Sequence, residues 1–208
     1  MSPRIAPLAG LCTLLVALPA CAAGEDEAAA APAWEFSLTA YPTFVRDGDD
    51  YTSAIAIANR GALHLEARYS YEAKNARSAF VGWTFSGGDS LTWEITPLIG
   101  AVWGPLDAFV PGVELGLGYG RFDFYLEGEY VDDGDEPYTY AWSELGFSPR
   151  DWLRFGIAAQ RTNIFGEERD IQRGPFAQFS RDRFTVGGYW FNPGQDEQVV
   201  ITSIGVSF

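Results

Sequence analysis

Cysteine, histidine and basic residues are scarce in this chain. Among 208 residues there are two Cys, one His and one Met. Cys12 and Cys21 fall within or at the edge of an N-terminal leader, so the domain that follows has no disulfide to hold it. The lone His64 leaves no zinc-ligand spacing, and no glycine-rich phosphate loop or dinucleotide fingerprint is present. Lys and Arg number 14 against 28 Asp and Glu, which excludes the basic face that nucleic acid requires. After the leader no stretch reaches the roughly 18 continuous apolar residues of a spanning helix. Any passage through a membrane must therefore use strands.

The leader itself reads as a secretory signal over residues 1–23: Arg4 is its positive start, Leu8 to Leu18 its apolar core, and small residues follow from Ala20 to Gly24. Cleavage after Ala23 puts small residues at the recognition positions. The alternative is lipidation at Cys21, since Leu18-Pro19-Ala20-Cys21 resembles the box before a lipidated cysteine, although proline fits it badly. Residues 24–33 form an acidic, Ala-rich linker with nothing to pack, and order is expected from Trp34.

From residue 34 to 208 period two dominates. In "LHLEARYSY", Leu63, Leu65, Ala67, Tyr69 and Tyr71 alternate with His64, Glu66, Arg68 and Ser70. "FDFYLEGEY", "VELGLGY" and "LRFGIAAQR" repeat the split. Short turns at 59–61, 86–90, 119–121, 148–151 and 180–183 alternate with longer or more acidic ones at 46–50, 73–77, 104–112, 132–137, 164–174 and 192–197. The segments between them predict an all-β, antiparallel up-and-down barrel of about twelve strands, with ten as the alternative because "PFAQFS" is short. Each strand has the roughly 9–11 residues of a tilted transmembrane strand.

Two features choose an apolar outside over an apolar inside. Aromatics gather at strand ends, with Trp93, Tyr119, Phe122, Trp152 and Phe184 by the short turns and Tyr71, Trp103, Tyr130, Tyr138 and Trp190 by the long loops, as two interfacial girdles would. The polar face carries Glu66, Arg68, Glu94, Glu114, Glu127, Glu129, Glu144 and Arg154 among many glycines. Turned to lipid, each charge would cost up to about 2–4 kcal/mol at the midplane. Those residues are therefore expected to line the lumen, with water inside and an opening beside Glu114, where Gly112, Gly116 and Gly118 leave room.

The closing strand "VVITSIGVSF" puts Val200, Thr202, Ile204, Val206 and Phe208 on one face. A last strand of this kind ending in Phe resembles the insertion signal of bacterial outer-membrane β-barrel proteins. The resemblance implies an outer-membrane location, contact with outer-membrane lipid, and recognition of Val200, Ile204, Val206 and Phe208 by the barrel-assembly machinery. It also implies that both ends and the short turns are periplasmic, with the long loops outside.

For function, the residues favour a narrow porin-like passage for small ions or solutes with a cation preference, from acids lining a partly low-dielectric channel. A non-conducting barrel that uses its loops for surface interaction is the second reading. A lipid-modifying enzyme is the third. It would need a polar cluster facing lipid at the outer rim, where Arg161 is the only outward charge expected, and where the outer-membrane phospholipase family carries serine two residues after histidine this chain has Glu66. The loop "DDGDEP" lacks the ligand pattern of a calcium loop and reads as solvated. No catalytic residue, cofactor or metal is expected.

Overall fold

Strands that alternate apolar and polar side chains must pair along both edges if they are to sit in lipid, because no water is there to satisfy the backbone. The computed structural model describes residues 32–46, 48–134, 137–164 and 170–208. Its strands are β1 (Trp34–Val45), β2 (Tyr51–Arg60), β3 (Leu63–Tyr69), β4 (Arg77–Trp83), β5 (Phe85–Gly87), β6 (Leu91–Trp103), β7 (Ala108–Tyr119), β8 (Phe122–Val131), β9 (Tyr138–Arg150), β10 (Leu153–Ile164), β11 (Asp170–Arg181), β12 (Phe184–Phe191) and β13 (Val199–Ser207). Every neighbouring pair is antiparallel, β1 pairs with β13, and β4 pairs with β6, which closes the ring. The three-residue β5 continues β4 along β6, since Gly82 faces Leu98 and Phe85 faces Ile95 in one unbroken register. Thirteen segments thus make a closed barrel of twelve strands plus this short extension. The leader and the linker up to residue 31 lie outside the described residues.

The seam is closed at the terminus as well. The Phe208 N–H donates to the Phe36 carbonyl at 2.8 Å and the Phe36 N–H donates to the Phe208 carbonyl at 3.2 Å. Tight turns join strands on this rim, with Gly61 and Gly120 taking φ values of 57° and 62° that a Cβ would disfavour. Several loops on the other rim are shorter than the turn residues suggest. β7 begins at Ala108 and β11 at Asp170, so residues 108–112 and 170–174 are strand. β11 is a full strand, which removes the ten-strand alternative. Residues 165–169 and 135–136 lie outside the described residues, so the mixed-charge "GEERD" and part of "DDGDEP" cannot be placed.

Outward faces are apolar and exposed, including Leu38, Val81, Ile99, Leu145, Ile157, Val186 and Ile204. Both girdles form, with Trp93, Tyr119, Phe122, Trp152 and Phe184 at one rim and Trp103, Tyr130 and Trp190 at the other. Two members were misassigned. Tyr138 shares the inward parity of Trp142 and Glu144, and β3 ends at Tyr69, after which Ser70 takes a φ of 52° and the alternation is lost before Tyr71. Tyr71 and Tyr138 both point into the lumen, and Tyr69 takes the girdle position. Arg161 is exposed on the outer face as expected, but Arg77 and Arg173 are exposed there too, all toward the long-loop rim.

Candidate functional site

Parity places the site. Counting by two along β3, β7, β8, β9 and β10 brings Glu66, Arg68, Glu114, Glu127, Glu129, Glu144 and Arg154 to the lumen, and each is buried. Two arginines organise them. Arg68 donates from Nε to Glu66 Oε1 at 2.9 Å and from Nη1 to Glu129 Oε1 at 2.6 Å. Its Nη1 also lies 3.2 Å from Glu127 Oε1 and 3.5 Å from Glu72 Oε1. The guanidinium sits 4.2 Å from the Phe80 ring centroid and 4.6 Å from that of Tyr71, so its faces are covered while its edge is hydrogen-bonded. Arg154 forms the second centre, donating from Nε and Nη2 to Asp123 and from Nη1 to Glu144 Oε2 at 2.6 Å and Gln178 Oε1 at 2.8 Å. Glu144 Oε1 also accepts from Trp142 Nε1–H and the Tyr189 hydroxyl, each at 2.9 Å.

Between the centres the Tyr125 hydroxyl spans Glu114 Oε1 at 3.0 Å and Glu127 Oε2 at 3.3 Å, and the Tyr71 hydroxyl donates to Glu127 Oε1 at 2.9 Å. The carboxylates of Glu66, Glu114, Glu127 and Glu129 are thus joined around Arg68 and those of Asp123 and Glu144 around Arg154, and the two groups adjoin across β8 and β9 as one acidic belt. Burying acids in such excess is unfavourable by several kcal/mol per uncompensated charge, even with hydroxyl donors.

The interior beside the belt is not the open water channel that the glycines suggest. Tyr41, Ile55, Ile57, Trp142, Phe176, Tyr189, Phe191 and Ile201 form a packed apolar cluster across the lumen. In β2 the isoleucines face inward and Ala54, Ala56 and Ala58 face lipid. The space over Gly100 is filled by the Phe80 ring, and that over Gly112 by Leu98 and Glu129, so no gap opens beside Glu114. Gly116 has open space above it. It belongs to a vestibule of roughly 440 Å³ at the short-turn rim that is also lined by Glu35, Asn59, Thr92, Glu94 and Gly118. A second vestibule of roughly 530 Å³ at the long-loop rim is lined by Tyr51, Tyr71, Glu72, Glu129, Tyr138 and Gln160. Belt and apolar cluster lie between the two.

Glu94 thus lines the short-turn vestibule and Glu129 borders the long-loop one, while Glu66, Arg68, Glu114, Glu127, Glu144 and Arg154 lie between the two. Sequence reasoning missed Asp123, Glu72, Tyr125, Trp142, Gln178 and Tyr189. Parity alone reaches Asp123 and Tyr125, four and two residues before Glu127. Glu72 lies past the end of β3, in a loop that turns inward so that Ser78 Oγ donates to it at 2.6 Å, and no period reaches it.

No protein-family model matches this chain. Among curated proteins none matches in sequence. Solved structures do match in fold. A KdgM porin aligns with a TM-score of 0.57 at 12% identity, covering 83% of this chain and 98% of the porin. A KdgM porin in complex with disordered oligogalacturonate aligns at TM-score 0.58 and 8% identity, covering 83% and 98%. The Acinetobacter baumannii outer membrane protein Omp33 aligns at TM-score 0.48 and 11% identity, covering 86% and 99%. The chain has the fold of bacterial outer-membrane β-barrel porins.

Proposed function

We propose that this protein is a narrow porin-like passage of the bacterial outer membrane that favours small cations. The observation that carries the reading is the buried belt, in which the acids Glu66, Glu114, Asp123, Glu127, Glu129 and Glu144 outnumber the arginines Arg68 and Arg154 between two solvent vestibules. A cation that enters the belt offsets charge the protein leaves uncompensated, whereas an anion adds to it. Arg68 and Arg154 hold the carboxylates in place, and their side chains are the parts that must shift for an ion to pass. In this orientation the long-loop vestibule opens outside and the short-turn vestibule opens to the periplasm.

The same charge argues against the ligand of one structural neighbour. Oligogalacturonate is a polyanion, and a belt of this sign repels it. His64, the chain's one imidazole, lies on the lumen side between Asn59 and Glu66, away from the lipid-facing rim where a lipid-modifying enzyme would act.

The test is the reversal potential of the refolded barrel under a salt gradient, for the wild type and for a variant carrying both Glu114→Gln and Glu127→Gln. The wild type is expected to favour cations and the double variant to move toward anions. An unchanged reversal potential removes the belt as the selectivity element.

A further inference from the structure

We propose that His64, Glu66 and Glu114 form a buried binding site for one divalent transition-metal ion, with Zn²⁺ as the best fit. This goes beyond the channel reading and does not depend on conductance. Sequence spacing conceals the site, because Glu114 comes from β7 and the other two from β3. The barrel brings one donor atom from each residue to within 4.8 Å of the others. His64 Nε2 and Glu66 Oε2 are already 3.3 Å apart, close to the edge of a tetrahedron whose metal bonds are about 2.0–2.1 Å. Glu114 completes a face of that tetrahedron by a small side-chain shift.

The groups that orient such ligands are also in place. Asn59 Oδ1 lies 2.9 Å from His64 Nδ1 and accepts its proton, which turns Nε2, with its lone pair, toward Glu66. Two electron-rich atoms at 3.3 Å repel unless a proton or a metal ion lies between them, and a metal ion also recruits Glu114. The Tyr125 hydroxyl holds the other Glu114 oxygen at 3.0 Å. One imidazole nitrogen with two carboxylates suits zinc better than calcium, which takes oxygen ligands only. Asn59 also lines the short-turn vestibule, so it backs the imidazole from the Nδ1 side while the donor atoms face the barrel interior.

The experiment titrates Zn²⁺ into the refolded mature barrel in detergent by calorimetry, and records the visible absorption of the Co²⁺-loaded protein. Variants His64→Gln, Glu114→Gln and Asn59→Ala are compared after heat-modifiable gel mobility confirms folding. One ion per barrel is expected, with a tetrahedral Co²⁺ spectrum free of thiolate charge transfer. Affinity should fall more than tenfold in H64Q and in E114Q, and by about 10–100-fold in N59A, which removes only the orienting group. Wild-type protein without saturable binding overturns the proposal. So does binding that survives in H64Q, which would put the metal on exposed acids such as Asp132. Should H64Q and E114Q fail to fold, the wild-type Co²⁺ spectrum and the N59A affinity decide.

Discussion

Arg154 shows how single side chains hold the lumen together. Its guanidinium faces Asp123, Glu144 and Gln178 while packing 4.6 Å from the Phe176 ring centroid. Removing one member of a buried ionic group leaves the other charges without compensation, at about 3–5 kcal/mol. Arg154→Ala is therefore expected to lower the temperature at which the folded gel band is lost. Arg154→Lys keeps the charge without the fork, so it should fall between the alanine variant and the wild type. Equal temperatures for all three would show that the centre is solvated and contributes little. Glu144 and Arg154 were legible in the sequence because period two puts them on the polar face of their strands, and the same period carried two steps back from Glu127 would have reached the missed Asp123. Gln178 and Tyr189 were not legible, since nothing in a strand's own pattern says which side chain stands opposite it across the lumen.

At the scale of the strand, the outward face sets the energy of insertion. Ile157 lies mid-strand in β10, between Leu145 and Pro175, and is 63% exposed. Arginine there would cost about 2–4 kcal/mol if that face meets the bilayer midplane. Ile157→Arg should therefore insert and fold poorly into vesicles. Arg161, on the same face two periods of alternation nearer the rim, should tolerate exchange to Lys because its head group can reach the interface. Equal folding yields for wild type and I157R would contradict the lipid-facing assignment. Strand number and alternating turn lengths were readable because each strand carries its own period and each turn its own punctuation. β2 was not, because "SAIAIAN" alternates two apolar residues, and only its pairing partners decide whether Ile or Ala turns inward. Tyr71 failed for a related reason: the period was extended one pair past the point where the backbone leaves the sheet.

The whole molecule is a closed ring whose two ends are held by the Phe36 and Phe208 backbone pair. Twelve strands enclose more space than side chains need to fill in the smallest barrels. The chain fills part of that space with an apolar cluster against one wall and places its acids along the other. That division sets a buried acidic belt between two vestibules, which only the assembled barrel reveals, since its residues come from five different strands. The measurement that tests this account most directly is conductance of the refolded mature domain in a planar bilayer under a salt gradient, once heat-modifiable mobility has shown that it is folded. Small discrete steps with a cation-favouring reversal potential are predicted. A folded barrel that stays silent, or one that favours anions, would contradict the account.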